Sequence, residues 1–464
     1  MTLEVSNEKN NSATPRKEKK LYKIFPEHVR PHALTILKWA IVGYLIRIAV
    51  MPLFAHEDLM INAWDSFTLL QKHQMYTFYP LPIYLLLAST YTLFSPFLPK
   101  IFANEILSNT AYWPTQLFQI YHVSQAGIQT FIFVSKIPML VFDFATAFLL
   151  LHMINDGKKA VLAFKLWMLC PISIFISYFF GQFDVIPAFF LMLGLYFFKT
   201  GKIKWSMLSL GLCVAFKPLG LIFVPPLILV YLGEQKNLIS KVKQLFLTFG
   251  ISIFPLAISL ATSFVIPVFY ESANMALLGK FEVNGFWVHT YYAMSQAVNP
   301  LFTEFSYLGS STSTSVPTIF PYVFPAAYCV FLFTVIYWKK WSVESLFLAP
   351  LLIFYILDPF YPQWFLWITP LAVLMAAKYR DWFLKLYLLF IPLFFIYICQ
   401  QNAHLTSNLL SPTILQAYYW PGPIDLLNEV GIPGLSVIYI FSSIFIATLL
   451  MYLILVLRTK SLET

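Results

Sequence analysis

Apolar runs long enough to cross a bilayer recur from about residue 34 to the C-terminus, with short polar loops between them. A helix needs about 20 such residues to cross the hydrocarbon core. Lipid offers the backbone no hydrogen-bond partner, so a spanning segment must satisfy its own amides, which selects helices. The period-two alternation of a membrane barrel strand is absent. The runs predict helices over 34–54, 131–154, 161–180, 184–199, 203–216, 219–233, 244–269, 320–338, 344–361, 363–378, 382–399 and 433–457. This is an all-α, polytopic membrane protein of about twelve transmembrane helices. A further apolar stretch, 79–98, carries Pro80, Pro82 and Pro96, with Pro99 just beyond it. It reads as an interfacial or re-entrant helix within a large first external loop that carries juxtamembrane helices.

Composition agrees with this pattern. Charged residues are 11% of the chain and hydrophobic residues 59%, whereas soluble domains carry about 25% charge. The net charge of +9 would suggest a nucleic-acid partner if it formed a patch on a soluble domain, but its distribution follows the loops. Lys17, Lys19, Lys20, Lys23 and Arg30 precede the first span, and His56, Glu57 and Asp58 follow it. Further basic loops lie at 158–159, 199–204, 236–243, 339–340, 378–380 and 458–460. Cytoplasmic loops carry the excess Lys and Arg. With about twelve spans, all but five of the 30 Lys and Arg fall at cytoplasmic loops or helix ends, the exceptions being Lys72, Lys100, Lys136, Lys217 and Lys280. The chain then divides into a disordered cytoplasmic tail (1–33), one transmembrane domain (34–457) and a cytoplasmic tail (458–464). Both termini are cytoplasmic, in a prokaryotic plasma membrane or a eukaryotic endoplasmic-reticulum membrane. The N-terminus lacks the apolar core of a cleaved signal peptide. Cys170, Cys213, Cys329 and Cys399 each lie in an apolar segment without a spaced partner. They read as small buried residues, with no disulfide or metal framework.

With this topology the external helix ends share one composition. The first loop offers His56, Glu57, Asp58, Asp65 and His73; a later turn reads Gly181-Gln182-Phe183-Asp184. Lys217 sits beside Pro218 in a hairpin of two short spans. Later loops add Glu271, Glu282, Asn284, His289, Asp358, Tyr361 and Gln363. Most acids at helix ends are merely solvated, and Asp65 and Glu271 read that way first. Asp143 lies mid-span, where a carboxylate costs about 2.5–3.5 kcal/mol; a packed interhelical hydrogen bond accounts for it better than catalysis. Asp184 and Lys217, at tight turns in apolar sequence, are equally open to structural and functional roles. The adjacent carboxylates Glu57 and Asp58 suit a general base that accepts a proton from an attacking hydroxyl, or else are ordinary interfacial acids.

These segments resemble the GT-C glycosyltransferases. His56-Glu57-Asp58-Leu59 through Trp64, then Tyr79-Pro80-Leu81-Pro82, is similar to the first external loop of that family. Gly181-Gln182-Phe183-Asp184 with Pro187 resembles the turn after its third helix, and Phe216-Lys217-Pro218 with Pro225-Pro226 its short hairpin. Tyr361-Pro362-Gln363-Trp364-Phe365-Leu366-Trp367 is similar to a late segment of polyprenyl-phosphate-mannose-dependent mannosyltransferases. Glu282-Val283-Asn284-Gly285-Phe286-Trp287 resembles a loop of dolichyl-phosphate-glucose-dependent glucosyltransferases. Leu81 displaces the second proline of the family's Tyr-Pro-Pro pattern, and no second, sugar-binding soluble domain is expected.

The resemblance implies an inverting hexosyltransferase, with mannose the first choice of sugar and glucose the second. The donor would be a polyprenyl- or dolichyl-phosphate sugar. The acceptor would be a lipid-linked glycan or glycolipid on the external or luminal face. Asp58, or alternatively Glu57, would be the catalytic base. Lys217 would bind the donor phosphate, and Gln182, Asp184, Gln363, Trp364 and His73 would bind substrate. No cofactor is implied, no divalent metal is indicated, and the expected partners are these lipids and the surrounding membrane, without nucleic acid. A secondary transporter or lipid-glycan flippase would show polar interruptions at the midplane of two repeated halves; a non-catalytic membrane scaffold of the same fold is the other alternative.

Overall fold

A computed structural model of the chain describes residues 25–56, 58–60, 62–63, 66, 81–98, 125–233, 237–265, 323–338, 341–357, 361–379, 381–410, 413–414, 417 and 419–459. All regular structure among them is helical. Helix α1 (Ala33–Val50) follows a 3-10 turn, Glu27–His32. It stops at Met51, just before Pro52, whose ring cannot continue a helix. Helix α2 (Leu81–Phe94) comes next in the described chain. Helices α3 (Gln125–Ser135) and α4 (Ile137–Met153) replace the single expected helix over 131–154. They part at Lys136 because Pro138 fits only the first turn of a new helix. Helix α5 (Gly157–Met168) begins where the Asp156 side chain accepts the Lys159 amide at 3.0 Å.

The expected helix over 161–180 is also broken. It restarts at Cys170-Pro171, runs through a short helix (Pro171–Ile174) and closes with a π-helical turn (Phe175–Phe180). Gly181 ends that turn at φ +75°, where a Cβ would lie 2.7 Å from Leu59 Cδ2. Only glycine meets both the left-handed backbone and the close approach.

The longer helices that follow are α6 (Val185–Lys199), α7 (Ile203–Phe216), α8 (Val224–Gly233), α9 (Leu238–Val265), α10 (Val323–Trp338), α11 (Val343–Leu357), α12 (Thr369–Tyr379), α13 (Asp381–Ile398) and α14 (Gly434–Arg458), with the short helices Ser407–Leu410 and Pro423–Glu429 between the last two. The runs expected at 219–233 and 363–378 open with 3-10 turns, Pro218–Phe223 and Pro362–Trp367, each led by its proline. Helices α6, α7 and α9 pack in sequence, α12 packs on α5 and α13, and α14 packs on α11 and α13. Trp167, Trp367 and Tyr355 are buried at the centre. Helix α2 packs against α3, α4, α7 and α9 and buries Tyr84, Leu87 and Tyr91. It is thus a partner of the bundle helices as well as part of the first loop.

The outside of the bundle is apolar too: Leu34, Leu45, Phe246, Val330, Phe333 and Ile440 are exposed. Such a surface suits lipid rather than water. Six helices among the described residues have the length and composition to cross a membrane, over Glu27–Val50, Ala126–Met153, Gly157–Phe180, Leu238–Ser259, Asp381–Asn402 and Gly434–Arg458. Five shorter apolar helices accompany them. The regular structure of the described residues is all helical, and its long apolar helices mark an integral membrane protein.

Side-chain contacts sort the helix ends into two groups. At one end His28 Nε2 meets Leu151 O at 3.0 Å, and Lys159 Nζ donates to Lys378 O at 2.9 Å. There Glu344 Oε1 accepts from Lys199 at 2.7 Å and Lys378 at 3.3 Å. Thr459 joins Ser342 and Ser345 at the start of α11. At the other end the Ala55 amide donates to Leu409 O, the His56 amide to Phe180 O, and Thr413 Oγ1 to Leu53 O.

Between the ends, Arg47 Nε donates to Asp143 Oδ2 at 2.6 Å, with both side chains fully buried. Tyr178 adds a hydrogen bond to the same oxygen at 2.8 Å, and Ser173 one to Oδ1 at 3.3 Å. Asp143 therefore makes the interhelical contact expected of it. Arg47 counted among the basic residues at cytoplasmic helix ends; it lies inside the bundle as a counter-charge and carries no information about sidedness. The cysteines also differ from expectation: Cys170 and Cys213 are buried, but Cys399 is half-buried and Cys329 exposed, since an apolar exterior accommodates a thiol as readily as a core does.

Candidate active site

The second group of helix ends carries the candidate chemistry. Asp58 opens the short helical stretch after α1, and Asn62 Nδ2 donates to its carbonyl at 2.7 Å. Its carboxylate accepts from Gln182 Nε2 at 2.6 Å through Oδ2 and remains about one-quarter exposed, at 26%. His56 is buried and stacked on Phe180, with ring centroids 4.7 Å apart. Its Nδ1 accepts the Asp58 amide at 3.3 Å and lies 3.7 Å from Asp58 Oδ2, too far for a hydrogen bond. A neutral ring with its proton on Nε2 satisfies the amide.

Two residues beyond Gln182, Asp184 is buried, and its Oδ1 accepts from both Lys217 Nζ, at 2.7 Å, and Trp367 Nε1, at 2.8 Å. Lys217 is the C-cap residue of α7, and its ammonium lies 5.4 Å from the Trp364 ring centroid. The 3-10 turn Pro362–Trp367 carries both Trp364, which faces this cation, and Trp367, which shares its Asp184 oxygen, and Tyr355 Oη anchors the turn through Trp364 O at 2.6 Å. Gln363 is half-buried on the same turn. One short turn, 181–184, therefore holds a carboxylate through Gln182 and a cation through Asp184.

Lys136 supports this arrangement from below. It is fully buried, and its Nζ donates to Met51 O at 2.9 Å, to Tyr178 O at 2.6 Å and to Phe54 O. Three ammonium protons thus meet three carbonyls. These belong to the end of α1, which leads to Asp58, and to the π-helical turn that leads to Gln182. In the sequence Lys136 stands out only as an exception to the charge rule, although a lysine within an apolar run, directly before Ile137-Pro138, is the signal of its role. Trp367 stands there only within an aromatic segment.

The structure thus brings Asp58, Gln182, Asp184, Lys217, Trp364 and Gln363 to one end of the bundle. Glu57, Asp65, His73, the loop over 271–319 and Asp358 lie outside the described residues. Comparison with models of known protein families gives no match, and comparison with curated proteins gives none either.

Proposed function

We propose that the chain is an inverting glycosyltransferase that moves a hexose from a polyprenyl- or dolichyl-phosphate carrier to a hydroxyl of a lipid-linked glycan or glycolipid. The observation that carries this reading is the shared turn: Gln182 and Asp184, two residues apart, hold Asp58 and Lys217. A proton acceptor and a phosphate-binding cation must face one substrate together, and a single rigid turn sets their separation. Asp58 takes the proton as the acceptor oxygen attacks the anomeric carbon from the face opposite the phosphate. The carbon–oxygen bond to the phosphate breaks, the lipid monophosphate leaves with the electron pair, and the configuration inverts. Lys217 donates one hydrogen bond to Asp184 and keeps its other N–H groups for the departing phosphate, whose developing charge it stabilises. Asp184 faces Lys217 and Trp367 rather than open space, so it acts as a positioning residue. Trp364 and Gln363 flank the donor, which carries mannose in the first instance and glucose in the second.

In the same reading the five shorter apolar helices and α12 cross with the six long ones, about twelve spans in all, and the Asp58 end faces outward or into the lumen. The decisive assay uses purified protein in vesicles with polyprenyl-phosphate mannose or glucose and lipid-linked acceptors. Transfer that depends on the lipid carrier is expected; transfer from a nucleotide sugar without any lipid carrier would overturn the reading. Cysteines placed at 57–75 should label from outside while one at 158, which is exposed, should not.

A further inference from the structure

The lysines at the end opposite Asp58 fall into two sets. Lys159, Lys199 and Lys378 are committed to a carbonyl or to Glu344. Lys202, Lys204, Lys241 and Lys243 make no side-chain hydrogen bond or ion pair among the described residues. They flank the starts of α7 and α9, two helices that pack side by side.

Along these two helices lies an open groove of about 540 Å³, whose lining includes Lys204, Trp205 and Leu208 in the first turns of α7 and Phe246, Gly250 and Phe254 further into α9. Apart from Lys204 these walls are apolar. Trp205 and Phe254 are each 58% exposed and Phe246 71%, although each could have been covered by a neighbouring helix. Gly250 opens the groove: a Cβ built there meets nothing within 4 Å. On their facing sides the helices touch, for a Cβ at Gly211 would lie 2.5 Å from Ser252 O. The groove therefore begins at a lysine and is floored where the helices touch. From Phe246 to Phe254 it runs about 12 Å along α9.

We propose that this groove binds an acyl chain of an anionic phospholipid, with the headgroup phosphate against Lys204 and Lys243 one turn away. The apolar walls match the chain. The uncommitted cations match the headgroup, because a lysine near an anionic lipid surface contributes a favourable interaction that a zwitterionic headgroup largely forgoes. Trp205 sits beside Lys204, where the aromatic belt of a membrane protein meets the headgroups. This site is remote from Asp58 and independent of any sugar transfer.

The test uses the full-length protein in detergent, with phosphatidylglycerol and phosphatidylcholine of identical acyl chains supplied in equal amounts and bound lipid counted by native mass spectrometry. Wild type is expected to retain phosphatidylglycerol preferentially. Lys204→Gln changes an exposed side chain and should reduce that preference about fivefold. Gly250→Leu fills the groove and should reduce retention of both lipids, with the thermal midpoint unchanged because the added atoms meet open space. Equal retention of the two lipids by wild type would overturn the proposal. So would undiminished phosphatidylglycerol on Gly250→Leu, which would reduce the effect to surface charge alone.

Discussion

Gln182 Nε2 donates to Asp58 Oδ2 at 2.6 Å and so joins two residues 124 positions apart in the chain. The bond fixes the carboxylate's direction, and on the proposed reading the other oxygen takes the proton of an acceptor hydroxyl. Asp58→Asn keeps the size and the contact surface but cannot take a proton. Transfer should fall by about 10²-fold or more while the purified protein keeps its thermal midpoint. Near-normal transfer by Asp58→Asn, together with a loss in Glu57→Gln, would move the base to Glu57.

Lys217 and Asp184 should behave as one unit. Lys217→Met removes the phosphate contact and should raise the apparent KM for the lipid-phosphate sugar or lower kcat. Asp184→Asn weakens the hold on the same ammonium, so the double variant should lose little more than Lys217→Met alone. Neighbours that share an interaction typically couple by about 0.5–3 kcal/mol. A double-mutant cycle on kcat/KM with strictly additive losses would separate the two residues.

Lys136→Met should loosen the scaffold beneath both groups. Each buried carbonyl left without a donor costs about 1–3 kcal/mol, partly offset by relief of a buried charge. The readout is regional: amide hydrogen exchange should accelerate at 51–60 and 176–182 and stay unchanged in α13 and α14. Uniform acceleration along the chain would mean that Lys136 supports the whole bundle rather than the candidate site.

The buried pair Arg47–Asp143 should show the asymmetry of a desolvated ion pair. Asp143→Ala strands a guanidinium in the bundle and should destabilise by about 3–5 kcal/mol. Replacing both partners, Arg47→Met with Asp143→Leu, should recover most of that loss. Thermal unfolding in detergent distinguishes this outcome from two independent contacts, for which the double variant would be the worse of the two.

Asp156 gives a pH dependence at the opposite end of the bundle. The Lys159 amide, donating to its side chain, holds the carboxylate below its usual range, with Lys158 and Lys159 adding charge and burial opposing only in part. A carboxylate with a lowered folded-state value stabilises above its unfolded value, near about 4, and that contribution is lost as the pH falls through the lower folded value. Asp156→Ala should therefore lower the thermal midpoint at pH 7, and the gap to wild type should close on acidification. A constant gap from pH 7 down to strong acid would show that the side chain caps α5 without titrating.

Some of this molecule could be read directly from the chain. The boundaries of α6, α7, α13 and α14 lie within a residue or two of the expected ones, because an apolar run of given length is a local property that lipid enforces directly. The meeting of Lys159, Lys199 and Lys378 at one end follows the alternation expected from their loops. The breaks at Lys136 and Cys170 are invisible to the hydropathy pattern, which averages over a proline that the helix geometry cannot ignore. The partners were a tertiary decision. Nothing in the sequence says that Asp143 faces Arg47, that Gln182 reaches Asp58, or that Trp367 and Lys217 share one oxygen of Asp184. Each depends on how far a helix is rotated about its axis and which neighbour it packs against. That choice is made by the whole bundle at once, since a buried polar group is stable only where distant segments bring it a partner.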